Sequence, residues 1–441
     1  MNKKTENKAV SPWQWVPSLY FAQGIPYVVV MSVAVILFKR MGMSNTDIAL
    51  YTSGLNLPWV IKPLWSPLVD LLKTKRWWIV VMQILVGAGL AGIALTIQGP
   101  LAFRYCLAFM WLLAFSSATH DIAADGFYML GLNEKKQAYF VGIRNTFYRF
   151  AVIFGQGILV MFAGWLEQRY AREMPETAAI PQAWSLTFYL LTILFALLFV
   201  YHNLFLPHPR RDTCTLPPQQ ASAGRVFKEF LGTFTSFFQK KHIVSALIFI
   251  LLYRFAEAQL VKITSPFLLD TPATGGLALS TAEVGFIYGT IGVIALTIGG
   301  IVGGIAMARR GLKSCLWTMT IAMNLPNIVY LYLSFARPES IGIISGCVAI
   351  EQFGYGFGFT SLTYFMMLFS NGKHQTAHYA ICTGFMALGL MLPGMISGWI
   401  EESIGYRAFF VWIMLCTIPS FWATHLVRKN LTDNNPDNIS R

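Results

Sequence analysis

The sequence predicts an all-α integral membrane protein of twelve transmembrane helices, arranged as two six-helix parallel repeats. Composition is the first observation behind this. The chain has 441 residues, 55% hydrophobic and 12% charged, whereas soluble domains carry roughly 25% charged residues. Mean hydropathy is +0.54. The second observation is length: twelve apolar runs each approach the ~20 residues that a bilayer requires. The third is internal recurrence, because short motifs of the first half return in the same order in the second.

In chain order the spans are expected near 13–38, 47–69, 77–98, 101–130, 137–166, 183–206, 243–268, 282–308, 314–335, 339–369, 376–400 and 405–427. Pro58, Pro63 and Pro67 interrupt the second. The polar segment 207–241 is the longest connector and divides the spans six and six. This gives an N-terminal bundle over 1–206, a cytoplasmic linker over 207–241, a C-terminal bundle over 242–427 and a tail over 428–441. Arg225 to Gln239 reads as a helix on the membrane surface. Met1 to Val10 is polar and leads straight into a full-length span, so no cleavable leader is expected.

Lys and Arg set the orientation. Of 33 such residues, 21 fall in the N-terminus, the even-numbered loops and the tail, and seven in the odd-numbered loops and their edges. Both termini are therefore expected in the cytoplasm. The net charge of +13 resides in loops on one side, which excludes a nucleic-acid reading. Six scattered cysteines give neither a disulfide framework nor a zinc site. His374 and His378 have i,i+4 spacing but no third ligand nearby, and read as a solvated helix start rather than a metal site.

The remaining five cations, Lys62, Arg144, Arg149, Arg254 and Lys262, lie inside spans. Charges at membrane depth are expensive and mark pairs or transport paths. Around the loop Gly131–Gln137, Asp121 and Arg149 each lie about twelve residues in, roughly 18 Å deep, and Asp125 and Arg144 about eight, roughly 12 Å. Two ion pairs between spans four and five are possible by depth, although Arg144 and Arg149 diverge on their helix. Such charges either lock two helices together or serve a substrate or proton path. Arg254 and Glu257 are three apart and can pair across one turn. Glu351 sits near the middle of span ten with no basic residue in that span, which suits a proton carrier. Asp121, Glu257 and Glu351 are the proton-coupling candidates.

Ser44-Asn-Thr-Asp47 opens span two and Ser280-Thr-Ala-Glu283 opens span eight, both read as capping boxes. Gly164-Trp-Leu-Glu167 ends span five and Gly398-Trp-Ile-Glu401 ends span eleven; Asp121 and Glu351 correspond roughly. This architecture resembles the major facilitator transporters. Pro67-Leu-Val-Asp70-Leu-Leu-Lys-Thr-Lys75-Arg76 resembles their signature loop, with Ser66 and Leu71 at two departures. The copy after span eight has Ala308 at the aspartate position. Asp70, Lys75 and Arg76, with Asp125 and Arg144, are the gating candidates.

A narrower resemblance is to the AmpG muropeptide permeases and the related acetyl-coenzyme A transporters. It rests on Phe21-Ala-Gln-Gly24-Ile-Pro26, Trp59-Val-Ile-Lys62-Pro-Leu-Trp65-Ser-Pro67-Leu-Val-Asp70, His120-Asp121-Ile-Ala-Ala-Asp125-Gly-Phe, Tyr148-Arg149, Ser265-Pro-Phe-Leu-Leu-Asp270, Ile350-Glu351-Gln352, Tyr379-Ala380 and Gly398-Trp399. His120 stands where the permeases usually have glutamine or a similar residue. The resemblance implies proton-driven import of N-acetylglucosaminyl-anhydromuramyl peptides across the cytoplasmic membrane, by a monomer without cofactors. A sugar–peptide ligand calls for aromatics, amides and a cation, so Gln23, Lys62, Tyr148, Arg149, Arg254 and Gln352 are the binding candidates. The alternative is the same fold carrying acetyl-coenzyme A, a siderophore or a drug-like molecule. An enzyme would need a nucleophile and base, or a metal cluster, at one depth; the sequence offers neither.

Overall fold

The computed structural model describes residues 10–209, 212, 232, 234–371 and 375–431. Among these, the only regular elements are helices. Each of the predicted spans is helical, and eight helical runs are long and apolar enough to cross a membrane by length and composition. Two of the eight, Thr281–Ala336 and Ala377–Asn430, each contain two predicted spans. Helices meet inside them at Gly311 (φ 73°) and Gly405 (φ 75°), left-handed positions that glycine adopts without steric cost.

Four spans are broken: span nine by a 3-10 turn at Leu325–Asn327, span twelve at Cys416, and spans two and seven between pairs of α-helices. Span two is helix Asn45–Gly54 followed by helix Leu57–Leu72. Span seven is Ile243–Leu252 followed by Phe255–Leu269, broken where Arg254 takes φ −105°, ψ 20°. Three spans carry π-helical turns, at Val29–Val33, Ile153–Ile158 and Gly285–Gly292. The caps are as local as their motifs suggest, with one correction. Ser280 and Glu283 complete a reciprocal capping box. At Ser44 only half of one is present. The hydroxyl accepts from the Asp47 amide, but the shorter Asp47 carboxylate turns to that hydroxyl at 3.0 Å rather than to the backbone. Of the expected surface helix 225–239, residues 225–231 and 233 lie outside the described residues, as do His374, Arg210 and Arg211; residues 234–238 are helical.

The chain forms two compact units. One comprises Met1–Val28, Trp65–Val152 and Ser185–Gln219; the other comprises Val29–Leu64, Ile153–Trp184 and Gln220–Arg441. The chain leaves the first unit at Val28 and at Val152, in each case where α-helix gives way to a π turn. The first unit is centred on Trp15, Tyr20, Phe127, Tyr128 and Phe140. Within it, a Cβ at Gly24 would come within 2.6 Å of the Ala151 Cβ, so spans one and five approach through a residue without a side chain. The second has a core around Phe237, Phe249, Tyr253, Phe365 and Phe369. There Gly299 and Gly356 let spans eight and ten pack backbone to backbone.

Candidate functional site

In the first unit, three spans converge on the two aspartates of span four. Asp125 accepts from the Tyr20 hydroxyl at 3.1 Å and pairs with Arg144 at 3.3 Å. The Arg144 guanidinium lies over the rings of Tyr20 and Tyr128, 4.6 and 5.1 Å from their centroids. An arginine flanked by two aromatic faces and a carboxylate keeps its charge while partly removed from water. Asp121, one turn deeper, accepts from Gln23. Tyr148 stands beside Tyr27, ring centroids 6.4 Å apart, with Arg149 half-buried next to it. Gln23, Asp121 and Asp125, Arg144 and Tyr148 thus belong to one neighbourhood of spans one, four and five.

A second polar chain was not apparent from sequence. Gln83 bonds His120 at 3.2 Å and His202 at 2.8 Å, and His202 reaches Ser18 at 2.9 Å. Gln83, His120 and His202 are all buried. At the signature loop, Asp212 accepts from the backbone amides of Lys75 and Arg76, at 2.7 and 3.0 Å, and so occupies the start of helix Lys75–Thr96. The Lys75 side chain lies against Gly126 of span four. Arg76 donates to carbonyls at the end of span six. The side chain of Asp70 lies outside those described.

In the second unit, Arg254 and Glu257 pair at 2.9 Å, with both side chains buried. Arg254 also donates to the Tyr355 hydroxyl at 2.8 Å and stacks over Tyr355 and Phe359. Glu351 is 3% exposed. Its hydrogen-bond donors among the described residues are neutral: the Tyr330 hydroxyl at 3.2 Å and the Gln352 amide at 2.9 Å. Lys262 is 2% exposed and lies within electrostatic range of Glu257, which in turn lies within range of Glu351. Lys62 is half-buried on helix Leu57–Leu72. The structure therefore gathers Arg254, Glu257, Lys262, Glu351 and Gln352 into one buried polar group. No set of three His, Cys, Asp or Glu side chains able to hold a metal occurs among the described residues.

The second unit also contains two junctions on the face of the odd-numbered loops, where motifs from the two halves of the sequence pair. Gly164 packs against Ala282, and Glu167 accepts from Thr281 at 2.7 Å, from the Trp184 indole at 2.8 Å and from Arg40 at 3.1 Å. Gly398 packs against the backbone of Asn45 and Thr46, and Glu401 accepts from the Asn45 amide at 2.6 Å. Lys39 joins Asp270 at 2.7 Å and Asn45 at 2.8 Å, and the Tyr406 hydroxyl donates to Asp270 at 2.5 Å. The sequence signal for these junctions was the recurrence of the motifs, but recurrence does not reveal that each contacts the other's copy.

Comparison with known proteins places this geometry. The family model for the Major Facilitator Superfamily matches residues 18–377. The chain is 25% identical to the putative transporter AmpG 4 of Rickettsia felis over 94% of its own length and 95% of the relative's. It is 24% identical to the anhydromuropeptide permease of Escherichia coli K12 over 96% of this chain and 81% of that protein. Among solved structures, the nucleoside transporter NupG superposes with a TM-score of 0.68 at 14% identity, covering 94% of this chain and 98% of that one. A D-xylose–proton symporter gives 0.67 at 12%, covering 96% and 97%. A peptide-bound POT family transporter gives 0.72 at 10%, covering 94% and 95%. These identities carry the fold and not the cargo. The all-helical membrane architecture, the recurrent halves and the matched family model together mean that this chain belongs to the Major Facilitator Superfamily.

Proposed function

We propose that this protein imports anhydromuropeptides, the sugar–peptide fragments released from cell wall, together with protons across the cytoplasmic membrane. It acts as a monomer with both termini inside, and the six spans of each half of the sequence form one repeat. The observation that carries the proton coupling is Glu351, a carboxyl 3% exposed whose bonds come from Tyr330 and Gln352 rather than from a cation. A buried carboxyl with neutral partners exchanges a proton where a paired one stays ionised. Asp121, met by the Gln23 amide, is the corresponding group of the first half.

The cargo reading is supported by similarity to the E. coli permease over 96% of the chain. The polar groups present suit that cargo. Arg149, Lys62 and Arg254 supply cations for peptide carboxylates, Gln23 and Gln352 supply amides, and Tyr148 supplies a face for a sugar ring. Asp125 with Arg144, and the loop Asp70 to Arg76, gate the cytoplasmic side. The experiment is uptake of labelled anhydromuropeptide into vesicles, with and without an imposed proton gradient. Uptake should require the gradient for accumulation, and Glu351→Gln should keep downhill exchange while losing accumulation. Absence of gradient-dependent uptake in the wild type would refute the cargo; accumulation by Glu351→Gln would move the proton to Asp121.

A further inference from the structure

The two junctions on the odd-numbered-loop face are built from the same motifs, yet their carboxylates are treated differently. Glu167 has a guanidinium, an indole N–H and a hydroxyl as donors. Glu401 is equally removed from solvent, at 4% exposure against 5%, but accepts from the neutral Asn45 amide. The cause is one position. Arg40, which serves Glu167, lies two residues past span one (13–38). The corresponding residue two past span seven (243–268) is Asp270. The second junction therefore has a carboxylate where the first has a cation.

The charged groups around Glu401 are already engaged with other partners. From the end of span one, Lys39 faces the group but is bonded to Asp270 at 2.7 Å and to the Asn45 carbonyl oxygen of the side chain at 2.8 Å. From span two, Asn45 supplies its amide, and Asp47 is exposed and bonded to Ser44. From span seven comes Asp270, held also by Tyr406. From its own helix, Glu402 accepts from the Thr46 hydroxyl. Arg337 donates to the Pro272 carbonyl and Arg407 to the Ser334 carbonyl. Among the described residues, two carboxylates, the half-buried Asp270 and the buried Glu401, thus share one ammonium.

We propose that Glu401 is a proton-binding site of this junction, and that proton uptake there favours contact between the Gly398–Glu401 and Ser44–Asp47 motifs. The step is a simple protonation of the carboxylate, which then needs no cation. It rests on the transporter reading above for its biological meaning, but not on the identity of the cargo. Glu401 lies on the helical run of span eleven that continues to Gly405. Enclosed, hydrogen-bonded by a neutral amide and set beside the second carboxylate of Asp270, whose bonded ammonium is Lys39, the Glu401 carboxyl favours its protonated form. Separated from Asn45 and in water, the same carboxyl returns to the ordinary range. The closed junction therefore binds the proton more tightly than the open one. Closure weakens as pH rises above the ordinary carboxylate range and the enclosed carboxyl gives up its proton. Linkage makes the closed-to-open ratio roughly tenfold larger at pH 6 than at pH 8. If the odd-numbered loops are external, acidity outside drives the chain toward the form closed on that side.

The test uses purified full-length protein in detergent, without cargo, so that its failure is separable from a failed uptake assay. Ser53 is fully buried, and its hydroxyl lies 2.6 Å from the place of a Cβ on Gly394 of span eleven. Ser53→Cys therefore reports separation of spans two and eleven through maleimide labelling. Rates are normalised at each pH to the unfolded protein and corrected for the parent's own cysteines. Labelling should fall roughly tenfold from pH 8 to pH 6. Adding Glu401→Gln should hold labelling at the low level at both pH values, while Glu167→Gln should retain the pH profile. Asp270→Asn removes the repelling carboxylate and releases Lys39, so its profile should move to lower pH. A flat profile in the Ser53→Cys protein, or an unchanged one in both the Glu401→Gln and Asp270→Asn proteins, would overturn the proposal.

Discussion

Replacing Arg254 by methionine should destabilise the protein in a way that fades with acid. The substitution keeps the apolar stem over Tyr355 and Phe359 but removes the guanidinium, which sits 2.9 Å from Glu257. Both side chains of the pair are less than a tenth exposed. Glu257 then has two courses. Staying ionised in the bundle costs about 3–5 kcal/mol, the usual cost of orphaning one partner of a buried pair. Taking up a proton costs about 3.7 kcal/mol at pH 7 for a carboxyl of ordinary acidity, at about 1.4 kcal/mol per pH unit. The cheaper course sets the ceiling, and Lys262 within electrostatic range lowers it further. The electrostatic loss should thus be at most about 3.7 kcal/mol at pH 7 and about 2.3 kcal/mol at pH 6. Denaturant titration in mild detergent at both pH values, for wild type and variant, measures it. Arg254→Met with Glu257→Gln should recover most of the loss, since no charge is then stranded. A loss that is the same at both pH values, or a double variant no better than the single, would refute the reasoning.

Asp121→Asn should abolish gradient-driven uptake at normal membrane abundance, whereas Asp125→Asn should lower abundance or gating by stranding Arg144 between Tyr20 and Tyr128; uptake and abundance measured together separate the two. Arg149→Lys loses the planar two-donor fork and should weaken cargo binding by about tenfold, or about 1.4 kcal/mol, in a competition assay. Gly398→Val puts side-chain atoms into the backbone of Asn45, so uptake should fail and a Ser53→Cys reporter should label fast at every pH. Slow labelling of that variant would show that the junction tolerates a side chain there.

What could be read in the sequence was whatever a single helix decides for itself. Apolar length gave the spans, and i,i+3 spacing gave the Arg254–Glu257 pair, which forms at 2.9 Å. Depth from the loop matched Asp125 to Arg144, found at 3.3 Å. What depended on a neighbour from a distant part of the chain was not legible. The lack of a basic residue in span ten showed that Glu351 had no cation there, but not that Tyr330 of span nine would donate to it. Nothing in the spacing of Tyr20 and Tyr128 indicates that Arg144 lies over both rings. The break at Arg254 was hidden because neither glycine nor proline lies at it to mark the end of a helix. The two Gly-Trp-x-Glu motifs identified the repeat, yet their partners belong to the opposite half, and periodicity within one half carries no information about that.

The π turns at Val29–Val33 and Ile153–Ile158 have a consequence for how spans one and five respond over time. A wider i→i+5 turn stretches and misaligns amide bonds, and one carbonyl per turn loses its regular partner. Each of these spans is therefore a rod with well-bonded ends and a loosened middle, and both residues of entry, Val29 and Ile153, begin a new packing unit. Backbone amides in these two windows should exchange with deuterium earlier than those one turn to either side.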